Sequence, residues 1–227
     1  MGKNLIQQRR GKGSARFRSH SFRYQGRAEH YRGDAATVID FVHCAGHSAP
    51  LAKVTSNGIE GLMIAAAGIR VGDVLSGFNA GSTQLLRDIP EGAAVFNLES
   101  RPGDGGKFAR ASGTFAKVLT KTENRVVVML PSKRQRDFDP NCKAAMGIVA
   151  GAGRADKPFY KAGNRHFKMK QRNKYYPHVS ALSMNAVAHP FGGSRSSKKG
   201  KSTIMPRNAP AGRKVGLMSP ARTGRRR

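Results

Sequence analysis

From Lys157 to Arg227 the chain runs 71 residues with 18 Lys and Arg and without one Asp or Glu. An even split of the usual ~25% charged residues would have placed roughly nine acids there. A segment this one-sided cannot neutralise itself, and compacting it against its own kind costs self-repulsion. A stretch such as Ser194 to Lys201 offers nothing with which to build a core, so free in solution it is expected to be disordered. The last third of the chain needs a polyanion supplied from outside.

The charge is organised along the chain. Residues 1–32 hold nine bases and one acid, residues 33–100 three bases and seven acids, and residues 101–156 eleven bases and five acids. A mildly acidic body is thus flanked by basic arms, as in a globular unit that docks on nucleic acid and sends extensions into it. A DNA-compacting protein would also be basic, but would favour duplex DNA. Cys44 and Cys142 lie far apart without paired spacing, which suggests neither a disulfide framework nor a zinc site and makes reduced, cytosolic thiols the default. The apolar run Leu62 to Ile69 is far shorter than the ~20 residues a membrane span requires. The first 32 residues are Arg-rich like a transit peptide, but Gly11, Gly13 and Gly26 interrupt any amphipathic helix. Met1-Gly2 lacks the Ser or Thr that myristoylation wants, having Ile6 instead.

The middle of the chain reads as β structure. Residues 36–42, 51–55, 61–67 and 72–78 form one set of short runs, and 93–98, 113–120, 125–130 and 145–150 a second, all bounded by turn residues. Strands at this spacing without helical periods favour small antiparallel barrels. The division expected is a basic N-terminal arm (1–32), one barrel (33–88), a second barrel (89–156) and a basic C-terminal extension (157–227). Beyond Gly153 periodicity disappears. Phe159, Tyr160, Phe167, Tyr175, Tyr176 and Phe191 are rings that can stack on bases or pack against a barrel, the packing role being stronger for Phe159 and Tyr160.

Motifs for nucleotide chemistry mostly fail. Residues 103–108 look superficially like a phosphate loop, but Arg101 stands where the first Gly is required and Lys107 is followed by Phe108 rather than Ser or Thr. Pro102 to Gly106 reads better as a tight turn whose backbone N–H groups and Lys107 approach phosphates. Gly58-Ile59-Glu60-Gly61 has the spacing of a KH-type clamp, but Glu60 would repel phosphate and a hairpin turn fits better. Gly151-Ala152-Gly153-Arg154 lets a nucleic-acid backbone approach while the guanidinium forks onto it. The same residues would also serve as a strand-terminating turn. Their place, between the second β unit and the acid-free arm, favours RNA.

Val179 to Gly193, with Asn185, His189, Pro190, Phe191 and Gly192, closely resembles the signature of the large-ribosomal-subunit protein two family. So do Gln8 to Ser14, Pro50 to Val54, Pro102 to Asp104 with Ala109 to Gly113, Asp156 to Pro158, Ala209 to Leu217 and Arg222 to Arg225, in order along the whole chain. The ending is similar to the archaeal and eukaryotic cytosolic branch. The resemblance implies a mainly β fold, an oligonucleotide-binding-type barrel followed by a Src-homology-three-like barrel, with both arms threaded into ribosomal RNA. It also implies a cytoplasmic structural constituent of the large subunit, contacting neighbouring ribosomal proteins, helping to assemble the peptidyl-transferase region and joining the small subunit. No membrane partner, no metal site and no intrinsic cofactor are implied; magnesium associated with the RNA is compatible with this.

His189 matches a family histidine proposed to assist peptidyl transfer. A general base usually needs an orienting partner. The acid that commonly precedes the family histidine is Ala188 here, and no acid follows. Structural RNA contact is therefore the favoured role, and a catalytic one the alternative. After Gly193 the chain also departs from the family's glycine-rich continuation, with Ser194 and then Arg195 to Lys201. The candidate RNA-binding set is Arg9, Arg10, Lys12, Arg16, Arg18, Lys107, Arg110, Arg154, Lys157, Arg165, Lys168, Asn185, His189, Arg213, Lys214 and Arg222. These residues neutralise phosphates and release counterions, and the arms order only on entering RNA crevices.

Overall fold

The computed structural model describes residues 2–193 and 204–216. Arg222 and the segment Ser194 to Lys201 lie outside the described residues. The chain divides into two units, Ser21–Tyr160 and a second made of Met1–His20 together with Lys161–Arg227.

Ser21–Tyr160 is mainly β, built as two antiparallel sheets. The first sheet contains β1 (Ala36–Val42), β2 (Leu51–Ser56), β3 (Ile59–Ile64) and β4 (Val74–Leu75) in the order β3-β2-β1-β4. The second contains β5 (Thr83–Leu85), β6 (Ala94–Phe96), β7 (Ala116–Lys121), β8 (Val126–Met129), β9 (Gln135–Phe138) and β10 (Lys143–Met146) in the order β5-β10-β6-β7-β8-β9. The mainly β fold of two antiparallel sheets is as expected and consistent with barrel-type units, with the hydrogen-bonded ladder of each sheet open.

Local chemistry explains the strands. In β1, Ala36 and Val38 are buried while Thr37 faces out, until a bulge between Val38 and Asp40 breaks the alternation. The β2–β3 hairpin pairs Ser56 with Ile59 across Asn57 and Gly58, both at positive φ (50° and 75°), which is the two-residue turn whose twist suits a hairpin. The turn expected at Gly58 to Gly61 is therefore tighter, and Glu60 sits in the strand.

Three clusters of side chains make one core. Val38, Val54, Met63 and Leu75 fill the first sheet, and Leu98, Val118, Val126 and Val128 the second. Between them Leu51 and Ile64 from the first sheet meet Phe96 and Ala145 from the second. Each fully buried Val, Leu, Ile, Met or Phe among them stabilises the fold by about 1.5–3 kcal/mol relative to exposure. Cys44 and Cys142 are buried and unbridged, and burial, then Asp139, pushes the Cys142 thiol up to about 11.

Residues 28–31 fasten the two sheets without joining either. Glu29 N–H donates to Leu62 O (2.9 Å), the Tyr31 hydroxyl donates to Leu75 O (3.0 Å) and accepts from Thr83 N–H (3.1 Å), and His30 Nε2 donates to Asn97 O (2.8 Å). Burial lowers the His30 ring to about 4, against the opposing pull of Glu99, so the imidazole is neutral at pH 7.

In the second unit the sequence gives no period, yet the structure has helices. They are α1 (Ile6–Gly11), ending at the glycine that interrupts it, and α2 (Ala162–Gln171). α2 has no side-chain cap and buries no residue, and its large apolar residues, Phe167 and Met169, stand two apart rather than three or four, so no apolar stripe marks it in the sequence. The two termini are joined: Lys3 N–H donates to Val187 O (2.8 Å), and the Asn173 amide donates to Ala15 O (3.0 Å) and to Arg18 O.

Candidate nucleic-acid interface

The loop between β6 and β7 turns its acids inward. The carboxylate of Glu99, 2% exposed, accepts from Gly103 N–H (3.1 Å), Gly105 N–H (3.1 Å) and Lys143 N–H (2.8 Å). Asp104 accepts from Ser100 (3.0 Å), Arg101 (3.4 Å) and Gly106 (3.0 Å). Burial pushes the Asp104 carboxyl up, but these amides and the Lys107 charge outweigh it and hold it below the usual carboxylate range. The amides of Gly103, Gly105 and Gly106 are therefore occupied by the loop's own carboxylates, which corrects the expectation that they approach phosphate. Arg101 and Lys107 are left exposed on the outside. Gly106 is at φ 97°, and a Cβ there would collide with Asn97, so the tight return of the loop depends on glycine.

Arg110 is half-buried and binds the protein itself, donating to Gly106 O and, at 3.0 Å, to Ala28 O. Burial lowers its pKa, with Arg27 adding to the effect. Arg154 is exposed and donates through Nη1 to Ser48 O (2.8 Å), following Gly151 and Gly153 at φ 79° and 78°. Lys157 is exposed.

In the second unit Arg9, Arg10, Lys12, Arg16 and Arg18 are all exposed, and Arg18 Nε donates to Gly13 O (2.6 Å). Arg9 and Arg10 occupy the last turn of α1, where cations suit the helix dipole. Arg165 of α2 lies 5.4 Å from the Tyr176 ring centroid, and Lys168 in its last turn is half-buried. Gly192 packs its Cα on the carbonyls of Met184 and Asn185, and Gly193 N–H donates to Met184 O (3.0 Å). The 189–193 turn is thereby laid back on residues 184–186. Asn185 is exposed, and its carbonyl accepts from Ala188 (2.9 Å) and His189 (3.2 Å). His189 is half-buried; its Nδ1 accepts from Phe191 N–H (3.0 Å), which puts the proton of the neutral ring on Nε2. A concavity of about 380 Å³ runs past Lys3, Gln8, His189, Pro190, Gly212 and Arg213. Arg213 is exposed, and Lys214 Nζ donates to Arg207 O (2.7 Å).

The C-terminal-domain profile of the Ribosomal Proteins L2 family matches residues 79–213. Large ribosomal subunit protein uL2 of Haloarcula marismortui is 50% identical over 99% of the chain and 98% of its own length. Those of Archaeoglobus fulgidus and Natronomonas pharaonis are 46% and 47% identical, over 100% and 99% of the chain and 100% and 97% of their own lengths. The chain belongs to the uL2 family.

For a uL2-family chain the candidate residues fall into two groups. Those in the arms are mostly exposed, whereas Arg110 is bound into the globular unit. Arg136 and Arg101, outside the candidate set, are exposed as well. The signal that could have found Arg136 is its i, i+2 spacing to Phe138 on one strand. Among the described residues no group of three or more His, Cys, Asp or Glu could hold a metal ion, and no helix is long and apolar enough to cross a membrane.

Proposed function

We propose that this uL2-family chain is a structural constituent of the large ribosomal subunit, binding ribosomal RNA by charge and shape in the cytoplasmic ribosome. The observation that carries the reading is how charge maps onto the two units. Met1–His20 with Lys161–Arg227 contains 23 of the 41 Lys and Arg and none of the 13 Asp and Glu. All the acids lie in Ser21–Tyr160. An acid-free unit with an uncapped helix that buries nothing has no internal means of offsetting its repulsion, and structured RNA supplies phosphates at matching density. Specificity comes from the folded shape of the RNA, since arms that order on binding follow crevices rather than read base edges. The family resemblance supports contact with neighbouring ribosomal proteins, assembly of the peptidyl-transferase region and subunit joining.

The same geometry speaks against general-base catalysis by His189. A base needs a lone pair directed at the proton it removes. The Nδ1 lone pair of His189 accepts the Phe191 amide, so it is already engaged and is not directed at a proton to be removed.

The test is sedimentation of cell lysate through a gradient at moderate salt, followed by sequencing of the RNA that copurifies. Comigration with the large subunit and its ribosomal RNA is expected. Recovery with bulk DNA, or in the slow-sedimenting fraction without RNA, would overturn the reading.

A further inference from the structure

β9 is an edge strand, and its Arg136 shares a face with Phe138 two residues on. The Arg136 guanidinium carbon lies 4.7 Å from the Phe108 ring centroid and 5.5 Å from that of Phe138. The two rings meet edge to face at 5.4 Å, and Phe138 is 4% exposed, so the platform is part of the packed second core. Two rings beneath a planar cation fix its orientation at little remaining entropy cost.

The acids adjacent in the chain to Arg136 and Phe138, and those of the loop that leads to Phe108, have partners of their own, Asp139 accepting from Asn141 N–H (2.8 Å). Asp137 accepts from Arg125 (3.2 Å), and Glu99 and Asp104 are filled by backbone amides. Among the described residues the guanidinium of Arg136 forms no ion pair and no hydrogen bond, and its side chain is exposed. Lys107, exposed and adjacent to Phe108 in the chain, adds positive field without competing for an anion. A residue serving only to cover ring edges needs an apolar stem, which Met or Lys would supply as well. An oriented guanidinium with its donors unspent has a further use.

We propose that Arg136, seated on Phe108 and Phe138, is a phosphate-binding residue that forks onto the backbone of structured RNA. The proposal rests on the RNA-binding function above and assigns to the second sheet a contact separate from the arms. The bidentate fit of guanidinium to phosphate gives the contact geometry, and the rings give it rigidity.

The experiment is filter binding of the full chain to large-subunit ribosomal RNA transcribed in vitro, across about 50–200 mM KCl, a range over which several phosphate contacts together change affinity by orders of magnitude. Arg136→Met keeps a long apolar stem on the rings and removes the charge. Its log–log salt slope is expected to be shallower by about 0.7–0.9 and its affinity lower by about tenfold, with a melting temperature near wild type. Arg136→Lys keeps the charge but not the fork, so the slope stays and affinity falls about threefold. A Met variant with wild-type slope and affinity overturns the proposal. If that variant does not fold, a Lys variant with unchanged affinity overturns it. Failure of the wild-type chain itself to bind this RNA in preference to duplex DNA would instead sink the function proposed above.

Discussion

Replacing Glu99 by glutamine tests whether the β6–β7 loop is held by a buried carboxylate. The carboxylate is 2% exposed and its two oxygens receive three amides, Oε2 taking Gly103 and Lys143 and Oε1 taking Gly105. A glutamine can leave its oxygen at the doubly occupied position, but its NH₂ must then face the Gly105 N–H. One charge-assisted hydrogen bond becomes a donor against a donor in a buried site, and the other two lose the charge. Hydrogen bonds to charged groups contribute about 1.5–3 kcal/mol, so a net loss of about 2–3 kcal/mol is expected. For a cooperative unit of this size that is a fall in melting temperature of about 6–10 °C. Thermal melts of the RNA-free protein read the first quantity. Hydrogen exchange at the Gly105 amide reads the second, since its protection should collapse while that of β1 and β2 amides follows the global loss alone. Glu60→Gln is the control: Glu60 pairs with Lys53 at 2.7 Å on the surface, and its loss should cost under about 1 kcal/mol. Equal melting of Glu99→Gln and Glu60→Gln, or unchanged Gly105 protection, would refute the account of the loop.

Two further outcomes follow from buried histidine chemistry. His30 has a folded pKa lowered to about 4 from 6.5, so its contribution is full above the unfolded value. It is lost progressively as pH falls from 6.5 to about 4, because the unfolded chain takes up the proton first. The loss amounts to about 3 kcal/mol, and urea melts between pH 7 and 4 should show it in the wild type but not in His30→Gln. At His189, substitution by alanine should impair incorporation into particles, read on gradients, while those particles that do assemble form peptide bonds within about threefold of the wild-type rate, as the structural role proposed for this turn requires. A thousandfold fall in rate with normal incorporation would restore the catalytic alternative.

What the sequence disclosed and what it hid follow from range. β1, β2 and β3 were legible because short apolar runs bounded by turn residues are a local signal, although the turn expected at Gly58 to Gly61 lies one residue earlier, at Asn57-Gly58. β9 was not, because Gln135, Arg136 and Asp137 are exposed and only Phe138 is buried, a pattern that reads as loop. α2 escaped for the complementary reason that it buries nothing. The fastening role of residues 28–31 was invisible because His30 and Tyr31 find partners 44 to 67 residues away, and no local period reports such bonds.

The candidate bases show the same limit at the level of function. Charge counting treats every Lys and Arg as a phosphate ligand, but Arg18, Arg110, Arg154 and Lys214 each donate to a backbone carbonyl. A guanidinium with one nitrogen so spent keeps its charge and its other donors, so it still attracts RNA over a Debye length while being less able to fork onto it. Half-buried Arg110, with donors on two carbonyls, is the extreme case. The number of phosphates neutralised, and therefore the salt slope of binding, should fall well short of the 41 bases. Arg136 makes the converse point, since a base outside the arms, held by two rings instead of a carbonyl, has its whole fork left for an anion.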